Sequence, residues 1–234
     1  LEGKILSIKN VGIFHIKLSR PIEGDIKTLT LRRNACGKWI AVFSCDNVPA
    51  KPLPKTHRVI GIDVGLQSFL TTSEGVKIAN PRFFKKAQNT LTMRQQRFSK
   101  RMKGSKRRNK VRILVAKIHE KISNQRRDFH FKVANRLLKE NDTIAIEKMA
   151  SWNNEFNLSM RDASWFGFFS ILKAKAEEAG REIVEVPARD TSQICSRCGA
   201  RVSKDLYVRI HSCPVCQLNI DRDINAALNI YRLG

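Results

Sequence analysis

The chain has 234 residues, with 44 Lys and Arg against 21 Asp and Glu and a net charge of +23. Apolar residues make up 42%, enough for a core, which excludes wholesale disorder. No run approaches the roughly 18 apolar residues needed to span a bilayer, which excludes an integral helical membrane protein. The charge argues for a polyanionic partner, with nucleic acid ahead of an anionic membrane surface. Six cysteines, four of them in C-x-x-C pairs, fit a reducing compartment and a metal site better than a disulfide scaffold. Leu1-Glu2-Gly3-Lys4 is neither an initiator nor a signal sequence, so the chain is expected to begin partway through a longer protein.

Residues 1–48 read as short strands. Phe14, Ile16 and Leu18 alternate with His15 and Lys17, and Lys27 to Arg32 repeats that period of two. Asn34-Ala35-Cys36-Gly37 is expected to turn the chain into a strand at Trp39–Phe43. An antiparallel sheet or partial barrel is the simplest reading. Pro49, Pro52 and Pro54 mark a stiff linker over 49–57. Val59-Ile60-Gly61-Ile62 is then a continuous apolar run, as in a strand covered on both faces. Two more strands are expected at 68–72 and 76–79, around a turn at Glu74-Gly75. Residues 82–140 are polar and helical in period, with a break at Gly104-Ser105, and predict an antiparallel helical hairpin. Thr143–Ile146 is another buried strand. Asp162 to Gly180 predicts one amphipathic helix, with Trp165, Phe168, Phe169, Leu172 and Ala176 toward the core. Glu182–Val186 is the fifth strand, and a last helix is expected over 222–232. Three strands in a meander, then two reached through helices, is the order of an RNase H-like α/β fold.

Asp63 closes the first apolar strand after the linker, and Glu147 closes the next buried one. A carboxylate at the end of a central strand is costly to desolvate without a partner, and open α/β sheets bind ligands near such ends. Each alone reads as well as the start of a solvated loop. Two together, with a third acid in Asp221-Arg222-Asp223, make a site for a hard cation such as Mg²⁺ or Mn²⁺. Such a site supports two-metal phosphodiester hydrolysis, one ion activating water and the other stabilising the leaving oxygen. On a helix successive residues turn by about 100°, so Asp221 and Asp223 cannot both face the site. Ile224, Ala226, Ala227, Leu228, Ile230 and Tyr231 are expected to form the buried face of this helix, with Asp223 beside it and toward the site, in line with Ala226, Ala227 and Ile230. Asp221 is expected farther round, toward Asn225 and Arg232, as the helix cap. Gly61 and Gly65 flank Asp63 and are expected to let nucleic-acid backbone or metal come close.

Cys195, Cys198, Cys213 and Cys216 form C-x₂-C-x₁₄-C-x₂-C. Two such turns supply a tetrahedral four-thiolate site for a structural Zn²⁺, with no position left open for catalysis. His211 has no required role beside four cysteines, and Cys36 and Cys45 lack metal spacing. Between residues 82 and 139 stand twenty Lys and Arg against only Glu120 and Asp128, a net +18 of the +23. A solvated helix face usually mixes signs. This one does not, so Arg82, Lys85, Lys86, Arg97, Lys106, Arg107, Arg108 and Lys110 are expected to contact phosphate backbone.

Taken in order over residues 58–232, these pieces resemble one family. They are Gly61-Ile62-Asp63-Val64-Gly65, Ile146-Glu147, Thr191-Ser192-Gln193 before Cys195, the two C-x-x-C pairs, and the run from Asp221-Arg222-Asp223 through Asn225-Ala226-Ala227 to Ile230. Together they resemble TnpB, the OrfB-type protein of bacterial and archaeal insertion sequences, which is itself similar to compact type V CRISPR effector nucleases. The resemblance implies an RNA-guided DNA endonuclease whose RuvC-type nuclease domain spans 58–234. The basic hairpin at 82–140 and a zinc ribbon at 191–219 would be inserted in it. Residues 1–48 would be the distal part of a wedge (oligonucleotide-binding) domain. The resemblance also implies catalytic, magnesium-binding roles for Asp63, Glu147 and Asp223, and zinc on the four cysteines. Its implied partners are a guide RNA from the transposon end and target DNA, in the prokaryotic cytoplasm at the nucleoid. Members usually carry a longer N-terminal region that helps read the target-adjacent motif, and often Gly where Gln217 stands.

Three other readings compete. A catalytically inactive, zinc-containing nucleic-acid-binding protein would not need all three acids. An actin-like ATPase should carry a second D-x-G phosphate loop, and Glu147-Lys148-Met149 is not one. A DD(E/D) transposase would share the fold but would be separated by a strand-transfer assay.

Overall fold

A computed structural model describes residues 3–149, 158–188, 190–205 and 207–234; Leu1 and Glu2, used above for how the chain begins, lie outside them. The described residues form two units.

The first unit holds two antiparallel hairpins. One pairs β1 (Ile5–Ile8) with β2 (Gly12–His15), and the other pairs β3 (Asp25–Arg33) with β4 (Trp39–Asp46). Asn34 to Lys38 closes the second hairpin, the Asn34 amide donating to the Lys38 carbonyl at 2.8 Å. The two hairpins remain separate two-stranded sheets, so the expected single sheet or partial barrel is not what forms. The alternation at Phe14 also ends early, because β2 stops at His15 and Ile16–Leu18 lie outside it. Leu6 is the one buried apolar side chain among the described residues of this unit, while Ile13, Trp39 and Val42 stay exposed. With so little apolar surface covered, nothing draws the two hairpins into one closed sheet.

The second unit is a mixed five-stranded sheet with helices on both faces. Its strands are β5 (Val59–Val64), β6 (Ser68–Thr72), β7 (Lys77–Ala79), β8 (Thr143–Glu147) and β9 (Glu182–Val186), in the order β7-β6-β5-β8-β9. The first three form an antiparallel meander, and β5, β8 and β9 run parallel. The meander, followed by two strands reached through helices, is as expected from the sequence. Two residues of alternation sort the faces. Ile60, Ile62, Ile144 and Ile146 join Phe168, Leu172, Leu137 and Leu138 in the main core. Gly61, Asp63, Ala145 and Glu147, one step out of phase, point to the other face.

The helical hairpin consists of α1 (Phe83–Ser99) and α2 (Lys106–Glu140). Gly104 turns at φ +83°, and Ser105 caps α2 by accepting from the Arg108 amide at 3.1 Å. The 35 residues of α2 extend about 52 Å. Its last part, with Ile122, His130, Val133, Ala134, Leu137 and Leu138 buried, packs in the core; its first part is largely polar.

The helix expected over 162–180 forms as α4 (Trp165–Ala179), ending at Gly180 with φ +63°. Its first two expected residues belong instead to a short α3 (Leu158–Ala163), and Ser164 between the two helices takes φ +54°. The Asp162 carboxylate accepts from the Phe84 amide at 2.9 Å and from Lys85 at 3.3 Å, capping α1, and Arg126 donates to it at 3.1 Å.

The proline-rich linker does not hang free. Its residues from Ala50 onward belong to the second unit, and the Leu53 amide donates to Ala179 at 3.0 Å. Asp142 fastens its end. Its carboxylate accepts from the Thr56 amide and hydroxyl at 2.9 Å each, from the His57 amide at 2.9 Å, and from Arg181. Arg181, whose side chain is 1% exposed, also donates to the carbonyls of Leu138 and Pro54 at 3.0 and 2.6 Å. Burial would push the Asp142 carboxyl up, but the Thr56 and His57 donors and the Arg181 guanidinium outweigh it and hold it at about 2. A depressed carboxyl adds stability that is present above its unfolded value and lost as pH falls through the folded one. Asp142→Asn should therefore lower the melting temperature at pH 7. The gap to wild type should stay full at pH 5 and narrow as pH drops from 3.8, the ordinary Asp value, toward 2. A gap that does not change with pH would mean the charge of Asp142 contributes nothing.

Candidate active site and thiol cluster

The parallel register of β5 and β8 places the first two acids. Gly61 pairs with Ala145 and Ile62 with Ile146, which brings Asp63 level with Glu147 at the carboxyl ends of both strands. Both lie, by alternation, on the face that α5 (Arg222–Leu233) covers. α5 comes very close because Gly61 has no side chain. A Cβ there would run into the Ala227 carbonyl and the Tyr231 amide nitrogen. Gly61 is thus filled by α5 and gives neither nucleic acid nor metal a way in, contrary to the expectation. At Gly65 a Cβ would meet the Ser68 carbonyl at 3.4 Å and an Asp223 carboxylate oxygen at 4.0 Å, so this glycine does border the acids.

Asp223, in the first turn of α5, is the third acid at this edge. Burial, then Glu147 and Asp223, push the Asp63 carboxyl well up, against the opposing pull of the Arg222 guanidinium and the Val64 amide. Burial likewise raises Glu147, partly offset by the Thr191 hydroxyl that donates to its Oε1. A buried acid made harder to ionise by two neighbouring acids calls for a cation, and an all-carboxylate set suits Mg²⁺ or Mn²⁺. The three side chains are neighbours without closing into a cage. Among the described residues, the four thiols are the only such group whose ligand atoms all converge within 4.8 Å. Mutual repulsion of three carboxylates favours that spread.

Asp221 is the N-cap of α5. Its Oδ1 accepts from the amides of Asp223 and Ile224 at 3.0 and 3.3 Å, and Lys77 pairs with its Oδ2 at 2.6 Å. Burial works against its ionised form, but Lys77 and these two amides hold the carboxyl below its usual range. The helix thus divides the two acids as the sequence suggested. The rest of the expected wheel needs correction. Asn225 is fully buried and Asn229 nearly so, while Tyr231 is exposed and Ile224 and Leu228 are half-buried. The amides of Asn225 and Asn229 hold the segment before the first cysteine pair. Asn225 accepts from the Ser196 amide at 2.9 Å and donates to the Ile194 carbonyl at 2.7 Å. Asn229 donates to the carbonyls of Thr191 and Ile194 at 2.8 and 2.7 Å. Sequence reasoning quoted these residues, with Thr191 and Arg222, only as parts of the family pattern and gave them no role at the site. Two asparagines four apart on one helix are the signal that could have revealed them, since this spacing aligns them on one face. Arg222 donates to the Asp205 carbonyl at 3.2 Å and to the Ser192 hydroxyl at 3.4 Å, next to the acids.

Cys195, Cys198, Cys213 and Cys216 come together as expected. The sulfurs of Cys195 and Cys216 are 3.5 Å apart, and those of Cys198 and Cys213 are 3.6 Å apart. A tetrahedron with Zn–S bonds of about 2.3 Å has S···S edges of about 3.8 Å, so the four thiols fit zinc. The two turns match. The Gly199 amide donates to Cys195 and the Gln217 amide to Cys213, both at 2.9 Å. Gly199 takes φ +76° and Gln217 φ +59°, so Gln217 adopts the left-handed shape that glycine serves elsewhere. β10 (Ile210–Ser212) and β11 (Asn219–Asp221) pair on either side of the second turn, and β11 leads into α5. His211, on β10, is buried and meets Lys204 through its Nδ1 rather than joining the thiols.

Of the eight expected phosphate contacts, Arg82, Lys85, Lys86, Arg97, Lys106, Arg107 and Lys110 are exposed along the hairpin. Arg108 is half-buried. It stacks 4.1 Å over Phe98 and donates to the Arg101 carbonyl at 2.7 Å, which ties the hairpin tip together.

Known proteins resemble this chain in sequence and in fold. The OrfB_IS605 family model, described as "Probable transposase", matches residues 42–155, and the Cas12f1-like TNB domain model matches residues 165–230. A Streptomyces pristinaespiralis protein named "Putative RNA-guided DNA endonuclease" is 35% identical over the whole of this chain, which covers 60% of that protein. The CRISPR-associated endodeoxyribonuclease Cas12f1 of Sulfoacidibacillus thermotolerans is 25% identical over 94% of this chain and 54% of its own length. The chain thus spans a little over half the length of these relatives. In fold it resembles the cryo-EM structure of a Cas12f1–sgRNA–target DNA complex. The TM-score is 0.56 at 19% identity, over 87% of this chain and 55% of that one. Matched by these two models in this order, and by relatives along its full length, the chain is similar to OrfB-type insertion-sequence proteins and to Cas12f1.

Proposed function

We propose that the chain is the catalytic portion of a transposon-associated, RNA-guided DNA endonuclease. In this reading 58–234 is a RuvC-type, RNase H-like nuclease domain, 191–219 its zinc ribbon, and 1–48 part of a wedge domain. The observation that carries it is the meeting of Asp63, Glu147 and Asp223, from β5, β8 and α5, at one sheet edge. Their carboxylates would hold Mg²⁺ or Mn²⁺, which when bound supplies Lewis acidity and an activated water for phosphodiester hydrolysis. The protein's own part is to fix these acids rigidly. Register sets Asp63 against Glu147, the α5 cap aims Asp223, and the Thr191 hydroxyl holds one oxygen of Glu147. The hairpin would hold guide RNA from the transposon end, or target DNA, by phosphate contacts that carry no sequence information. A prokaryotic, nucleoid-associated location follows from such partners. Among the described residues no helix is long and apolar enough to cross a membrane.

The test is cleavage of DNA matching the copurified RNA, with Mg²⁺ and with EDTA. Cleavage in Mg²⁺ alone is expected. Binding without cleavage in any divalent metal would leave only a zinc-containing nucleic-acid-binding protein. The hairpin gives a second expectation. Lys106, Arg107 and Lys110 changed together to Ala should weaken binding alike for all sequences. The slope of log affinity against log salt should become shallower by about 0.7–0.9 per lost contact. Arg108 is left out because it holds the tip. An unchanged slope would make these residues a solvated face.

A further inference from the structure

We propose that Thr191 is a positioning residue for Glu147, and that the segment Thr191–Ser196 is the strut by which the thiol cluster sets the carboxylate edge. The inference rests on the nuclease reading for Glu147's role. Its own basis is a closed chain of contacts.

Thr191 is buried, 4% exposed, and its hydroxyl donates to Glu147 Oε1. A hydroxyl has one proton to give, so this bond fixes one carboxylate oxygen and leaves the other for a cation. Thr191 is itself anchored in the folded insert. Asn229 takes its carbonyl, and Asn225 and Asn229 together take that of Ile194. Asn225 also receives the Ser196 amide. Cys195 stands between these anchors, buried, with its sulfur 3.5 Å from that of Cys216. The same helix, α5, carries Asp223. Two of the three acids are therefore referenced to one short segment, whose far end is a thiol of the metal cluster. Groups that hydrogen-bond to ligating side chains typically change metal affinity or activity by about 10–100-fold when removed. Thr191 occupies that place for Glu147.

The test measures Mn²⁺ binding to the zinc-loaded 234-residue chain by calorimetry, beside zinc content, melting temperature and cleavage rate. Thr191→Val keeps the shape and removes the hydroxyl. Thr191→Ala does the same without placing a methyl against the carboxylate. Each should weaken Mn²⁺ binding about tenfold or more, with one zinc retained and melting within a few degrees of wild type. Thr191→Ser, which restores the donor, should bind Mn²⁺ close to wild type. Cleavage by the Val variant should recover in part at high Mn²⁺, which a misfolded site would not do. Thr191→Val combined with Asn229→Ala should be little weaker than the worse single variant, because both act through one strut. Wild-type Mn²⁺ affinity in the Val and Ala variants would overturn the proposal, as would a wild-type chain that binds no Mn²⁺. Weakened Mn²⁺ binding in those variants, in a protein whose wild type cleaves no DNA, would sink the nuclease reading and leave Thr191's role standing.

Discussion

Asp223→Ala is expected to lower DNA cleavage about a thousandfold or more, while Asp221→Asn keeps most of it. Lewis-acid stabilisation by a bound metal is worth several kcal/mol, and about 4 kcal/mol is a thousandfold in rate. Asp223 lies in the first turn of α5, close enough to Asp63 to raise its carboxyl, on a helix pressed against β5 where Gly61 gives it room. Removing it takes away one of the three proposed metal ligands and leaves the fold's core untouched. Asp63→Ala and Glu147→Ala should match it in effect, with nucleic-acid binding nearly intact, because the hairpin supplies that. Asp221 does different work. Its Oδ1 takes the free amides of Asp223 and Ile224, and asparagine offers an oxygen to the same donors. The change also removes its ion pair with Lys77, whose side chain is 37% exposed. Such a pair is worth about 0–1 kcal/mol. Single-turnover cleavage of all four variants, beside DNA affinity, decides the matter. An inactive Asp221→Asn with an active Asp223→Ala would put the wrong acid at the site.

The features legible in the sequence were those written locally. Two apolar runs ending in Asp63 and Glu147 announced buried strands with acids at their ends, and their parallel register made the acids meet. Gly104-Ser105 announced the hairpin turn because glycine supplies the positive φ and serine the cap. The x₂–x₁₄–x₂ cysteine spacing announced the thiol cluster. What the sequence hid depends on partners far along the chain. Asp162 was expected to start a helix, and instead its carboxylate caps another one through the amides of residues 84 and 85. Gly61 looked like an opening for ligand, yet the occupant is α5, more than 160 residues later. Asn225 was expected beside Asp221, away from the apolar face of the last helix, and Asn229 was given no place. They are buried because carbonyls of 191 and 194 and the amide of 196 wait there. The two hairpins of residues 1–48 stayed apart because alternation fixes which face is apolar, and nothing in it says what covers that face.

Removal of zinc should unfold residues 191–218 locally and stop cleavage, with the five-stranded sheet still folded. Beyond the Asn225 and Asn229 hydrogen bonds at its start, the insert has little else to hold it. None of its described residues joins the two apolar clusters that pack the sheet, and its own strands are three residues each. A structural zinc contributes on the order of 10 kcal/mol of folding free energy in small zinc-binding peptides, more than such an insert gains from burial. Cys198→Ser should therefore lose zinc, and with it amide protection at Cys195, Gly199, Cys213 and Gln217, whose hydrogen bonds close the two turns. Protection at Ile60, Ile62, Ile144 and Ile146 should persist, since the main core covers them independently. Cleavage should fail even so, because Thr191 then no longer holds Glu147. Elemental analysis, hydrogen exchange and cleavage on the same preparation check all three parts. Protein purified without chelators that holds no zinc yet shows full protection at both turns would refute the metal site outright. Zinc loss that left cleavage unchanged would instead cut the link from thiols to carboxylates.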